Sequence, residues 1–164
     1  MPKVLIIYYT LSNNTKKMAE LISKGVRDTG CEAVLKNVAD TSIDELRDYE
    51  GIVIGSPTYY GAMAYQVKKL IDESVKFHGQ LGGKVGGAFS SSANIGGGNE
   101  TTILSILNAL LIHGMVVLGI PRGDHYGPVS IHSPDERSSA LCLEYGKQIG
   151  MLVKKLYPCD GNIK

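Results

Sequence analysis

The chain has 164 residues, 43% hydrophobic and 20% charged, which suits one globular domain with a two-sided core rather than a disordered segment. Seventeen Lys and Arg against 16 Asp and Glu leave a net charge of +1, spread along the chain, and nothing in this predicts a nucleic-acid stripe or a polybasic membrane patch. Three cysteines, Cys31, Cys142 and Cys159, with no CxxC predict a reduced, cytoplasmic setting.

The first element, KVLIIYY (3–9), is a continuous apolar run, the pattern of a central parallel strand. It lacks the long apolar core and cleavage site of a secretory leader. From Asn14 a helix begins, with Met18, Leu21, Ile22, Gly25 and Val26 on one stripe and Gly30 as its stop. CEAVLKNV (31–38) reads as a second strand nearer an edge. SIDELRDY (42–49) is a short helix with Ser42 and Glu45 spaced as a capping box.

GIVIGSP (51–57) is a third buried strand, ended by Pro57. Met63, Val67, Leu70 and Ile71 mark the next helix. KVGGAFSSS (84–92) is a fourth strand of small residues. Helix 99–113 is apolar on most of its circumference, so it is covered by the fold or joins a subunit interface. MVVLGI (115–120) is the fifth strand. The segment 103–120 approaches membrane-span length, but Ser105, Asn108, His113 and Gly114 divide it into helix, turn and strand. An irregular stretch, 122–136, precedes a last helix starting near Pro134 with Ser133 as its cap; Leu141, Tyr145, Ile149, Leu152, Val153 and Leu156 form its stripe. Cys159 lies in a polar tail, as a spectator or a reactive thiol.

Alternating strands and helices predict a single three-layer α/β domain over 1–164, with five parallel strands in the order 2-1-3-4-5. In such a sheet ligands sit beyond the carboxyl ends of the strands, at the switch between strands 1 and 3. Three loops meet there. TLSNNT (10–15) opens a helix, whose free N–H groups and dipole favour an anion, and Thr10, Ser12, Asn14 and Thr15 add neutral donors. Helix capping needs one such residue, and four suit a resident phosphate. SPTYYGAM (56–63) carries Tyr59 and Tyr60, able to cover a flat ring or simply to lie at the surface. SSSANIGGGNE (90–100) brings backbone N–H groups to a polar ring edge, or is a connector. Together they describe a mononucleotide site with a large flat head.

Other chemistries lack their residues. There is no Walker loop, no GxGxxG after the first strand and no GxSxG. Tyr8 and Tyr9 stand where a phosphorylated receiver would carry acids, and the first loop has no Cys or Arg for phosphatase chemistry. His78, His113, His125 and His132 have no metal-ligand spacing, so no metal is expected.

YYTLSNNTKKMA, SPTYYGAM, AFSSSANIGGGNETT and LLIHGMVVLGIP resemble the flavodoxin-like FMN proteins over nearly the whole chain, and among them the tryptophan-repressor-binding-protein type of NAD(P)H:quinone oxidoreductase. The resemblance implies a flavodoxin-like fold, FMN and a homodimer or homotetramer. It implies that Thr10, Leu11, Ser12, Asn13, Asn14 and Thr15 hold the FMN phosphate. Pro57, Thr58, Tyr59, Tyr60 and Gly61 then contact the ribityl chain and ring, while Ser91, Ser92, Ala93, Asn94, Ile95 and Gly96 line its pyrimidine edge. His113 in HGM matches a histidine close to the flavin, and HYGPVSI (125–131) a loop reaching toward a neighbouring subunit.

Three positions depart from the family. Asn13 replaces the usual Gly but can take the same left-handed conformation, and Ser12 stands where an aromatic often contacts the nicotinamide. The chain has no Trp to cover the flavin, and Phe77 or His78 is the nearest candidate. The activity so implied is transfer of two electrons from NADH or NADPH to a small-molecule quinone by ping-pong exchange, with His113 or Tyr126 stabilising a reduced oxygen. The alternative is a flavodoxin-type one-electron carrier, against which the near-neutral charge argues. No nucleic acid or membrane partner is expected.

Overall fold

KVLIIY folds as β1 (Lys3–Tyr8), and every residue after Lys3 is buried, as a strand covered on both faces requires. The computed structural model describes residues 1–158; Cys159 lies outside them. After β1 come α1 (Asn14–Asp28), β2 (Glu32–Asn37), a 3₁₀ segment (Ile43–Asp48) and β3 (Gly51–Tyr59). Then follow β4 (Ala62–Met63), α2 (Tyr65–Glu73), β5 (Val85–Ser92) and α3 (Asn99–Ile112). The last elements are β6 (Val116–Val117), β7 (Val129–Ile131) and α4 (Glu136–Leu156).

The sheet runs β2-β1-β3-β5-β6 with parallel neighbours, which is the predicted order of five positions. Among the described residues it holds seven strands rather than five, for two reasons. First, β3 continues into a short antiparallel hairpin with β4. Second, the fifth position is split. Only Val116–Val117 of the predicted strand 115–120 pairs with β5, at Val85 and Gly86. The chain then leaves the sheet through Pro121, which has no N–H to offer a ladder, and Gly123, at φ 89°. It returns as β7, which pairs with Ser90–Ser92 on the same edge of β5. In the gap, the hydroxyl of Tyr145 from α4 accepts the Ala88 amide at 3.1 Å.

One face of the sheet packs Leu5, Ile7, Ile52 and Ile54 against α2 and α3. The other packs Val4, Ile6, Val53 and Phe89 against α1 and α4. The two helices on that side touch through Gly25 and Gly146, where any side-chain carbon would strike the carbonyl of Leu143 or Ile22. One predicted detail changes, the cap of α4. The short helix after Ser42 is 3₁₀, and its Ser42–Glu45 capping box is present. The α4 helix is capped by Asp135, not Ser133, because the Asp135 carboxylate accepts the Ser138 amide and the Ser138 hydroxyl answers it. Helix α3 buries Ile103, Ile106, Leu107 and Leu110 but leaves Leu111 and Ile112 at 55% and 72% exposure.

Candidate functional site

The turn after β1 delivers its polar residues to the start of α1. Asn13 stands at the N-cap in the left-handed region, φ 64°, which turns its side chain away from the cap. No side chain caps this helix, and its first turn holds no acid; Lys16 and Lys17 occupy it instead. Lysines there oppose the helix dipole, whereas a bound anion would favour both. The Thr10 hydroxyl oxygen is buried with no hydrogen-bond partner among the described residues. Capping alone therefore does not account for the four polar side chains. An unsatisfied donor beside free helix N–H groups fits a phosphate tail.

The second loop is the β3–β4 turn. Thr58 pairs with Met63 and Tyr59 with Ala62, so Tyr60 and Gly61 are the two turn residues, at φ 50° and 76°. This geometry leaves the Tyr60 ring fully exposed. The Tyr59 ring meets Tyr9 edge-on, 6.4 Å between centroids, and burial with the Tyr9 phenol beside it pushes the Tyr59 hydroxyl pKa up. The Ser56 hydroxyl accepts the Ala64 amide at 2.8 Å and anchors the far side of the hairpin.

The third loop leaves β5 at Ser92, whose hydroxyl donates to the Asn94 carbonyl. Gly96 and Gly98 take positive φ, 68° and 99°, and Gly98 packs so closely on Gly61 that a side chain would collide with it. Ala93, Asn94, Ile95 and Gly96 are exposed, with backbone rather than side chains to offer.

Hydrogen bonds join all three loops. Thr15 Oγ1 lies 2.9 Å from Ser91 Oγ, between the first and third. Thr58 Oγ1 lies 3.0 Å from both Ser90 Oγ and Thr102 Oγ1, and Thr101 donates to the Gly61 carbonyl at 2.6 Å, between the second and third. The segments 10–15, 57–61 and 91–96 thus share one rim of the sheet. What they bring together is an uncapped helix start with hydroxyls at one end, two tyrosine rings, and a run of exposed backbone.

His113 does not join them. It follows the far end of α3, beside Gly114, whose carbonyl accepts the Gly83 amide at the start of β5. There its Nε2 lies 2.8 Å from Ser74 Oγ. That hydroxyl donates to the Ile71 carbonyl, so Nε2 carries the proton, while Nδ1 is buried without a partner. Burial, then the neighbouring His78, hold the imidazole pKa below its ordinary value. A flavin-contacting role for His113 within one copy of the chain is therefore corrected: helix α3 separates it from the cradle. Phe77 and His78 share this far end, with Phe77 buried under Arg47, so neither covers the aromatic site. Tyr126 lies on the excursion between β6 and β7, 45% exposed, and no hydrogen bond ties it to the three loops among the described residues.

Sequence reasoning missed a fourth segment at this rim. Because β7 runs beside the end of β5, the His132 amide reaches the Ser92 carbonyl at 2.8 Å, and Lys17 donates to Ser133 Oγ at 3.0 Å. The alternating, β-branched PVSIH was the available signal. Thr102, which links Thr58 to α3, was also missed.

Comparison with known proteins gives four concordant findings. The Flavodoxin family model matches residues 6–100. An NAD(P)H dehydrogenase (quinone) of Archaeoglobus fulgidus is 31% identical over 95% of this chain and 100% of its own length. A flavodoxin of Aquifex aeolicus is 37% identical over 91% of this chain and 85% of its own. Among solved structures, a WrbA-like flavodoxin from Agrobacterium tumefaciens superimposes with a TM-score of 0.80 over 94% of this chain and 99% of that one; at 23% identity it speaks for the fold.

Proposed function

This chain belongs to the flavodoxin family, and on that premise we propose that it is an FMN-dependent oxidoreductase carrying two electrons from NADH or NADPH to a quinone by ping-pong exchange. The family implies FMN, and the residues present suit it. The observation that carries the reading is the first loop, with its buried, unpartnered Thr10 hydroxyl beside an uncapped helix. In this proposal the amides and hydroxyls of Thr10–Thr15 hold the phosphate. Tyr59 and Tyr60 cover the flat ring with Pro57, Thr58 and Gly61 beneath them. Ser91–Gly96 meet the ring's polar edge with backbone groups.

FMN, when bound, supplies the hydride acceptance and the onward electron transfer. The chain's own part is to anchor the tail, orient the ring and leave one face open to a second molecule. No side chain at this rim need act as acid or base, and the proposal assigns His113 no such role. The quinone dehydrogenase relative, alike over its full length, supports the enzyme over the carrier. So does the net charge of +1, since carriers steered to basic partners are strongly acidic. The exposed Leu111 and Ile112 on α3 support a homo-oligomer.

The flavodoxin relative favours a second reading, a one-electron carrier. Anaerobic titration of the FMN-loaded protein separates the two. Stoichiometric bleaching by NADH or NADPH, with colour restored by benzoquinone, is the result for the enzyme. A flavin that neither nucleotide bleaches, but that dithionite reduces in two separated steps, is the result for the carrier.

A further inference from the structure

Beside the three loops, on the α2 face of the sheet, lies a cavity of about 310 Å³. Tyr9, Tyr65, Gln66 and Lys69 wall it, over the buried Val38 and Leu70. Tyr9 belongs to both places, since its ring also meets Tyr59 of the aromatic wall. The size is that of a small-ligand site. Gln66 gives the cavity its chemistry: it lines the cavity, its Oε1 has no hydrogen-bond partner among the described residues, and a turn of the side chain would present that carboxamide to a ligand. A carboxamide pairs in two-point fashion with the N6/N7 edge of adenine, and flat bases stack on tyrosine rings. At the rim, Lys69 Nζ lies 3.8 Å from a Glu73 carboxylate oxygen. An ammonium suits a phosphate, and a carboxylate suits ribose hydroxyls. A quinone, which has acceptors only, would leave Gln66 Oε1 unpaired and make no use of the Lys69–Glu73 pair.

We propose that this cavity seats the adenosine-phosphate half of the reductant, with Gln66 reading the base and Tyr65 and Tyr9 stacking on it. The proposal rests on the oxidoreductase reading above. It places the adenine next to Tyr9, so the rest of the dinucleotide can extend past Tyr59 to the flavin. NADH and NADPH share this half and differ in a 2′-phosphate, which would fall beside Lys69 and Glu73.

The probe is 5′-AMP, with 2′,5′-ADP as the second arm, added to the FMN-loaded protein. The proposal predicts amide shifts at Ala39, Thr41 and the Gln66 side chain by NMR, and competitive inhibition against the reductant. Tighter binding of 2′,5′-ADP identifies NADPH as the source, and weaker binding identifies NADH. Gln66→Leu should raise the AMP inhibition constant and the KM for the reductant together, by about tenfold. Tyr65→Ala, at a ring 74% exposed, tests the same wall without touching the core and should weaken both in parallel.

If NAD(P)H bleaches the flavin yet AMP neither competes nor shifts these residues, the cavity assignment is overturned and the oxidoreductase reading stands. If AMP shifts these residues but no nicotinamide nucleotide bleaches the flavin, the oxidoreductase reading falls. The cavity's role as the reductant's seat falls with it, and only a nucleotide site is left.

Discussion

Thr15 Oγ1 lies 2.9 Å from Ser91 Oγ, both side chains buried, and this pair links the loop after β1 to the loop after β5, 76 residues away. Replacing Ser91 by Ala leaves the Thr15 hydroxyl buried without its partner. The expected cost is about 1–3 kcal/mol of stability in the FMN-free protein, read from urea denaturation. FMN affinity should fall as well, because the two loops lose their register. An Ser91→Ala protein as stable as the parent would show that the pair does not bind the loops together.

Thr10→Val makes the opposite case. The hydroxyl it removes already lacks a partner in the protein alone, so the stability of the FMN-free form should hold or rise. FMN affinity should drop about tenfold or more, since a hydrogen bond to a charged group contributes roughly 1.5–3 kcal/mol. Fluorescence titration with FMN measures it, and an unchanged dissociation constant would remove Thr10 from the cradle.

Tyr60 occupies a left-handed turn position, φ 50°, with its ring in solvent. A non-glycine residue there is strained by roughly 1–2 kcal/mol. Tyr60→Gly should therefore raise the melting temperature of the FMN-free protein slightly while weakening its hold on FMN. Parallel gains in both would mean that the ring covers nothing.

Tyr145→Phe tests the split edge of the sheet. The Ala88 amide would lose its acceptor in the gap between β6 and β7, with no strand alongside to replace it. A loss of about 1–3 kcal/mol is expected, with faster hydrogen exchange at Ala88. Exchange as slow as in the parent would mean that another acceptor fills the gap.

His113 sets a pH dependence. Its pKa in the folded chain is held below the ordinary 6.5 by burial and then by His78. Above that value both folded and unfolded chains hold it neutral. As pH falls below it, the unfolded chain binds a proton that the folded chain refuses, so stability drops until the lowered native pKa is passed. His113→Gln should flatten this part of the stability profile between pH 7 and 5, roughly the window in which a histidine of ordinary pKa takes up its proton. Equal slopes in both proteins would place the titration elsewhere.

Much of this architecture was legible in the sequence because burial writes itself plainly. The apolar runs at 4–8 and 51–55 read as inner strands, and Ser42 with Glu45 as a cap. The three rim loops followed from topology, since parallel strands put their carboxyl ends together. What escaped notice was set by non-local contacts. The break in the fifth position depends on a Tyr145 hydroxyl arriving from α4 to satisfy Ala88, and no local pattern announces that. Within one copy His113 stands away from the rim loops, because resemblance assigns a residue type to a site without saying at which end of its helix the chain holds it. The Tyr60–Gly61 hairpin was missed because Pro57 looked like a strand end, yet β3 runs through it to Tyr59.

The proposed function requires a phosphate gripped by uncharged donors at the mouth of α1. Isothermal calorimetry of the FMN-free protein with FMN and with riboflavin tests this most directly. Several charge-assisted bonds predict FMN binding at least about a hundredfold tighter than riboflavin, with Thr10→Val narrowing the difference. Equal affinity for the two would contradict it.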